Sequence, residues 1–202
     1  YEKLMTKLPA TRAQGARFGI APQWGRRHDF ARANNLLMLL FDAAICHRLG
    51  KPDEPLRSFS EERGWLGDVS KWKAGNSTIA PFMEYQGDKV KTCWLPDAKT
   101  AHAWQAFVTF KPMLKLKNPP GLGDGQPFIL HKVDELIEVE VAGNPIIKGP
   151  IEVRSGAEKI GELKDGKLNV KFSSPGFYPV FLQAIAEDGT TIMSRPNTLI
   201  VE

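Results

Sequence analysis

Between residues 128 and 201 the chain alternates apolar and polar side chains in seven short runs, and this pattern leaves few folds open to it. The runs are 128–132, 136–141, 151–155, 158–163, 167–172, 178–186 and 198–201. A period of two places one set of side chains on each face of a strand. Turn residues separate the runs: Gly143-Asn144-Pro145, Ser155-Gly156, Asp165-Gly166, Pro175-Gly176 and Asp188-Gly189. Lys164-Asp165-Gly166-Lys167 is the sharpest signal, because Asp-Gly supplies the positive φ values of a two-residue hairpin. Short strands at this spacing predict an antiparallel β-sandwich over 127–202.

The chain upstream has a different character. Residues 111–126 (KPMLKLKNPPGLGDGQ) hold Pro119, Pro120 and three glycines, the chemistry of a linker. The glycines at 121, 123 and 125 follow no strand and lack the lysine of a phosphate loop. Residues 1–120 carry 19 Lys and Arg against 11 Asp and Glu, whereas 121–202 carry 8 against 12. All five Trp and both Cys precede residue 120. This asymmetry predicts two parts, 1–110 and 127–202, joined at 111–126. The basic residues are scattered, with no run of Lys or Arg beyond Arg26-Arg27, so a nucleic-acid partner is not expected.

Residues 1–8 have helical composition, expected to end at Pro9. Residues 16–21 (ARFGIA) read as a short strand with Phe18 and Ile20 on one face, and 22–29 as a loop holding Trp24 and His28. Asp29 is placed to cap the helix at 30–49, which is apolar nearly all round and therefore expected to be buried. Cys46 in that helix is expected to be a buried thiol. Residues 51–95 show little periodicity and read as a long wrap pinned by Trp65, Trp72 and Trp94. Residues 96–107 read as a helix with Ala101, Trp104, Phe107 and Val108 in one stripe. The longest apolar run, 36–41, is far short of the ~20 residues of a membrane span. The opening residues show no signal-peptide pattern.

Two cysteines define neither a disulfide framework nor a zinc site, and spacing leaves a Cys46–Cys93 bridge open. No cofactor or metal is expected: His47, His102 and His131 are isolated, reading as helix-end or surface residues. Asp134, Glu135, Glu138 and Glu140 alternate with apolar residues as a solvated strand face does, rather than as calcium ligands. Asn76-Ser77-Thr78 matches a glycosylation sequon. The tryptophans read as anchors rather than a sugar-stacking platform, except that Trp24, four residues before His28, is a candidate substrate-binding residue.

Residues 175–186 (PGFYPVFLQAIA) resemble the Gly-x-Tyr strand of immunoglobulin-like and polycystic-kidney-disease-like bacterial modules. The resemblance implies an Ig-like sandwich in which Tyr178 bonds back to the preceding corner. Pro179, one position later, removes a ladder donor and implies an edge position or a bulge. The strand, loop and helix over 16–49 resemble the end of the α/β-hydrolase fold in dienelactone-hydrolase-like esterases of bacteria. Gly64-Trp65-Leu66-Gly67-Asp68, Trp94-Leu95-Pro96 and Trp104-Gln105 look like the extension some of these carry before a sandwich domain. That resemblance implies an ester or lactone substrate, an extracytoplasmic location and His28 as the catalytic base. An imidazole held by a carboxylate can activate a serine in this way near neutral pH. The family order is nucleophile, acid, histidine, yet the chain has no Gly-x-Ser-x-Gly, and Glu2 is the only acid before His28. The resemblance then implies either a fragment whose partners lie on a missing segment, or a naturally shortened protein that has lost the chemistry.

The expected fold is α+β: a helical, loop-rich first part and an Ig-like sandwich. The leading expectation is the C-terminal portion of an esterase-type hydrolase. The alternative is a non-enzymatic binding or structural module. The first expects an uncovered 30–49 helix, to be buried by a second copy of the chain; the second expects it covered within the chain.

Overall fold

A computed structural model describes residues 2–17, 19–24, 33–68, 70, 76–118, 129–143, 147 and 149–202. The fold is α+β, with helices and a small sheet in the first half and longer strands in the second.

Helix α1 (Glu2–Ala13) runs through Pro9 instead of stopping there. Proline removes one backbone donor, but tertiary anchors hold the turns on both sides. Leu8 is buried, and so is Arg12, which pairs with Glu61 and donates from Nε to the Thr92 carbonyl at 3.1 Å. Arg12 Nη1 also donates to the Ala16 carbonyl at 2.9 Å and so fixes the turn after α1. The segment expected to be a strand at 16–21 is irregular at its described residues; Phe18 lies outside them.

Helix α2 (Asn34–Arg48) is shorter than the 30–49 expected, and residues 25–32 lie outside the described set. It is not buried all round. Asn35, Leu36, Leu39 and Ala43 face inward. Leu37, Phe41 and Ile45, one turn apart, are 42%, 54% and 54% exposed. Cys46 is exposed too, because it lies on the outer face, and both cysteines are free.

The stretch 51–95 folds where a wrap was expected. Strands β1 (Trp65–Asp68), β2 (Thr78–Pro81) and β3 (Cys93–Leu95) form an antiparallel sheet in the order β2-β1-β3. Helix α3 (Ala98–Phe107) follows, its first turn capped by Asp97 Oδ1 accepting from Thr100 N–H at 2.7 Å. Ala101, Trp104, Phe107 and Val108 are buried, as the stripe predicts, and pack with Leu8, Ile20, Leu36, Leu39 and Leu95.

The second half contains β4 (Leu130–His131), β5 (Ile137–Glu140), β6 (Glu152–Ser155), β7 (Glu158–Glu162), β8 (Lys167–Val170), β9 (Gly176–Ile185), β10 (Thr191–Met193) and β11 (Asn197–Val201). One sheet has the order β4-β11-β9-β6-β7, with β10 also on β9, and β5 pairs with β8 alone. All pairs are antiparallel except β4 with β11. Ile137, Val139 and Val170 from the two-stranded sheet share one core with Val153, Val180, Leu182, Leu199 and Val201 from the larger one. Asp165 and Gly166 have φ of 51° and 81°, as the hairpin signal requires. Asp134, Glu138 and Glu140 face Lys171, Lys167 and Lys117.

Pro179 corrects an expectation, since β9 is interior rather than at an edge. Its carbonyl accepts from Gly156 N–H at 3.2 Å, so its backbone polar side faces the end of β6 and no β11 bond is lost. Within 111–126, read as linker, residues 111–118 are described, and Leu114 is buried in the β core while Leu116 bridges Val141. Their alternation (Met113, Leu114, Lys115, Leu116, Lys117) is a strand pattern that the prolines and glycines beyond it mask. The two halves are in close contact: Ala106 of α3 is buried against Phe181 and Met193, and α2 lies over β9 and β11.

Candidate functional site

The junction between the halves forms a groove of about 800 Å³. One wall comes from β2 and α3, the other from β6, β9 and β10. It forms because α3 is apolar on the side facing Phe181 and polar next to it, where His102 and Gln105 project, with Thr109 just past the helix end.

Hydrogen bonds within the wall fix its shape. Gln105 Nε2 donates to the Ser77 carbonyl at 2.7 Å. Thr109 Oγ1 lies 3.0 Å from the Gln105 carbonyl and 3.3 Å from Asn76 Oδ1. Asn76 Nδ2 donates to the Thr191 carbonyl, which ties β10 to the first half. The amide of the sequon is thus engaged in the fold.

Other polar groups of the groove have no internal partner. Ser77 is only 4% exposed, yet its Oγ makes no hydrogen bond. A buried hydroxyl left unpaired costs about 1–3 kcal/mol. Arg154 is spent at both ends, Nη1 on Glu152 at 3.0 Å and Nη2 on the Ala157 carbonyl, but its Nε is buried and unpaired. His102 packs against Trp65, with ring centroids 5.6 Å apart. Burial, and then the Arg154 charge, hold its pKa below the usual histidine value. It is therefore a neutral imidazole near pH 7, able to donate from one nitrogen and accept at the other. Gln183 and Thr191 add an amide and a hydroxyl to the far wall, beside Asp188, which accepts from Thr190 Oγ1 at 2.6 Å, and the apolar Ile192 and Met193.

The residues singled out in the sequence fall elsewhere. His28 lies outside the described residues, as do Trp72 and the glycines at 121–125. Trp24 is described and acts as a fastener: its Nε1 donates to the Val108 carbonyl at 2.7 Å, and its own carbonyl accepts from Arg195 Nη2 at 2.7 Å. It does not line the groove. Trp94 donates to the Glu61 carbonyl and Trp104 to the Ile20 carbonyl, both as anchors. His131 is not a surface residue: it is buried, with Nδ1 3.0 Å from Glu135 Oε1. His47 lies near the end of α2, Nε2 3.7 Å from Asp97 Oδ2.

Cys93 makes a poor nucleophile. It is buried, its Sγ accepts from Ile20 N–H at 3.0 Å, and burial pushes its pKa up to about 11. Among the described residues no three His, Cys, Asp or Glu side chains are grouped to hold a metal. Among them, too, no helix is long and apolar enough to cross a membrane. Sequence reasoning did not bring Ser77, His102, Gln105, Arg154 and Gln183 together. They come from four elements or loops, and the only local signal among them was the sequon that contains Ser77. No protein-family model, curated protein or solved structure matches the chain.

Proposed function

We propose that the chain is a non-catalytic binding unit whose second half is an Ig-like sandwich and whose junction groove takes a neutral, hydroxyl-rich ligand, a segment of a glycan chain. The observation that carries this reading is the junction groove of about 800 Å³, in which the side chains of His102, Gln105, Thr109, Gln183 and Thr191 line the walls beside apolar Phe110 and Ile192. Sugar hydroxyls both donate and accept, and so do serine, threonine, glutamine and a neutral imidazole. The Ig-like reading is supported by Tyr178, whose Oη donates to the Ser174 carbonyl at 2.9 Å, four residues back. Affinity gel electrophoresis against xylan, β-glucan and galactomannan tests it. One of these neutral polysaccharides retards the chain, and Gln183→Ala with His102→Ala relieves the retardation. Absence of retardation by all three would remove the reading.

The exposed stripe Leu37, Phe41 and Ile45 on α2 favours a second reading, the end of an esterase-type hydrolase acting outside the cytoplasm. A helix of that fold packs on a sheet, and a bare apolar stripe is what the loss of its cover would leave. In this reading His28 is the base and the substrate an ester or lactone. Turnover of p-nitrophenyl esters by wild type and His28→Ala tests it; equal rates remove His28.

A further inference from the structure

We infer that a second, apolar cleft, between α2 and the strap 16–21, binds an unbranched aliphatic carboxylate of medium length, with Arg48 and Arg17 holding the head group. The cleft measures about 350 Å³ and is remote in chemistry from the polar groove. Its walls are apolar: Leu36, Leu40 and Ala43 of α2, Ile20 of the strap, and Trp94 and Leu95 of β3. That volume is at the lower end of small-ligand pockets, enough for one short chain rather than a two-chain lipid.

The walls are fixed in place. The strap is pinned at Ile20, whose N–H donates to Cys93 Sγ at 3.0 Å and whose carbonyl accepts from Trp104 Nε1 at 2.9 Å. Arg12 fixes its start at Ala16. Phe59 stands between His47 and Trp94, with ring centroids at 4.6 Å and 5.4 Å, and closes one side. A cleft held open by hydrogen bonds to its backbone does not collapse when empty, which lowers the cost of filling it.

The rim supplies the charge. Arg48 lines the cleft from α2 and Arg17 from the strap. Arg48 forms no ion pair with a described residue, and its Nε is sealed from solvent without a hydrogen-bond partner. His47 beside it has its Nε2 3.7 Å from Asp97 Oδ2. An apolar cleft whose rim carries a guanidinium with no ion partner among the described residues is complementary to a chain that ends in a carboxylate, because a guanidinium grips both oxygens. An alcohol of the same length would fill the cleft and leave Arg48 unpaired.

Calorimetric titration with decanoate and with decanol, on the whole chain, tests the inference. Wild type is expected to bind decanoate saturably at one site and decanol at least about tenfold more weakly. Arg48→Gln loses that preference while Arg48→Lys restores part of it. Ala44→Trp, at an exposed position lining the cleft, blocks both ligands with the far-ultraviolet circular dichroism unchanged. Equal affinity for acid and alcohol in wild type overturns the inference, and so does decanoate binding that survives Ala44→Trp. If Ala44→Trp does not fold, Arg48→Gln alone decides: an unchanged preference overturns the inference.

Discussion

Asn35 of α2 completes the edge of β11 by bonding Thr198 twice: its Oδ1 accepts from Thr198 N–H at 3.2 Å, and its carbonyl accepts from Thr198 Oγ1. Thr198 sits opposite Pro179 on β9, and its own N–H points away from that strand. β4 covers β11 only from Ile200 onward, so Thr198 would present an unpaired donor. A side chain from the first half fills this gap, and both residues are buried. Asn35→Leu keeps the apolar contacts and strands the Thr198 donor. The expected loss is about 1–3 kcal/mol, read from the urea midpoint, with faster hydrogen exchange at the Thr198 amide. An unchanged midpoint would mean that the edge is satisfied by solvent.

Gly67 on β1 faces the ring of Trp104, and a methyl group there would overlap Cζ3 and Cη2. Trp104 cannot retreat, since it is buried and its Nε1 is bonded to the Ile20 carbonyl. Gly67→Ala is therefore expected to cost about 1–3 kcal/mol of stability and to shift the tryptophan emission of the native state. Gly189→Ala is the control for substitution itself: nothing lies within 4 Å of a Cβ there, and only its φ of 80° is disfavoured. If the two lose the same stability, contact with Trp104 is not the cause.

The second half was legible because its information is local. Alternation sets the strand face, and Asp165-Gly166, Ser155-Gly156 and Asp188-Gly189 set the turns within a few residues of the strands they join. β10 escaped notice because Thr191, Ile192 and Met193 are too few to show a period. The first half holds its information at long range. β1, β2 and β3 are three or four residues each, and their register depends on Trp65 meeting both Pro81 and Leu95. α1 continues past Pro9, and Arg12 in its last turn is bonded to Thr92 and Glu61, far away in sequence. The apolar circumference of α2 was plain, but not which third of it lacks cover. The groove was illegible for the same reason: Ser77, His102 and Arg154 meet only once α3 has docked on β9.

His102 gives the stability a pH dependence with a defined sign. Its folded pKa is lowered, by burial first and the Arg154 charge second, below the unfolded value of about 6.5. The unfolded chain binds more protons between the two values, so stability is complete above about pH 6.5 and falls as pH drops through that window to the folded pKa. Glu135, Glu140, Glu152 and Asp188 have lowered values of their own and act at still more acid pH. His102→Phe, which keeps a ring against Trp65, is expected to flatten the fall of the urea midpoint as pH drops below about 6.5. A slope that persists in the variant would point to another group.

The two thiols should differ sharply in reactivity. Cys93 of β3 is closed off by the strap, its Sγ 3.3 Å from the Ile20 carbonyl, and burial pushes its pKa up to about 11. Cys46 is exposed on α2. Its pKa is raised as well, first by desolvation and then by Asp42, whose Oδ1 lies 3.6 Å from the sulfur. A thiol reacts as the thiolate and only where reagent can reach it, so exposure decides between the two and pKa sets the pace of the exposed one. Native protein at pH 8 is expected to take up one equivalent of an aromatic disulfide reagent, more slowly than a free thiol, and the second only on unfolding. Asp42→Asn should speed the first reaction by removing the nearby carboxylate. Its folded state must be checked by circular dichroism, because Asp42 also pairs with Lys99 at 3.1 Å. Two equivalents taken up at once by folded protein would show that the strap does not stay closed over Cys93, and with it that the wall at Ile20 is not fixed.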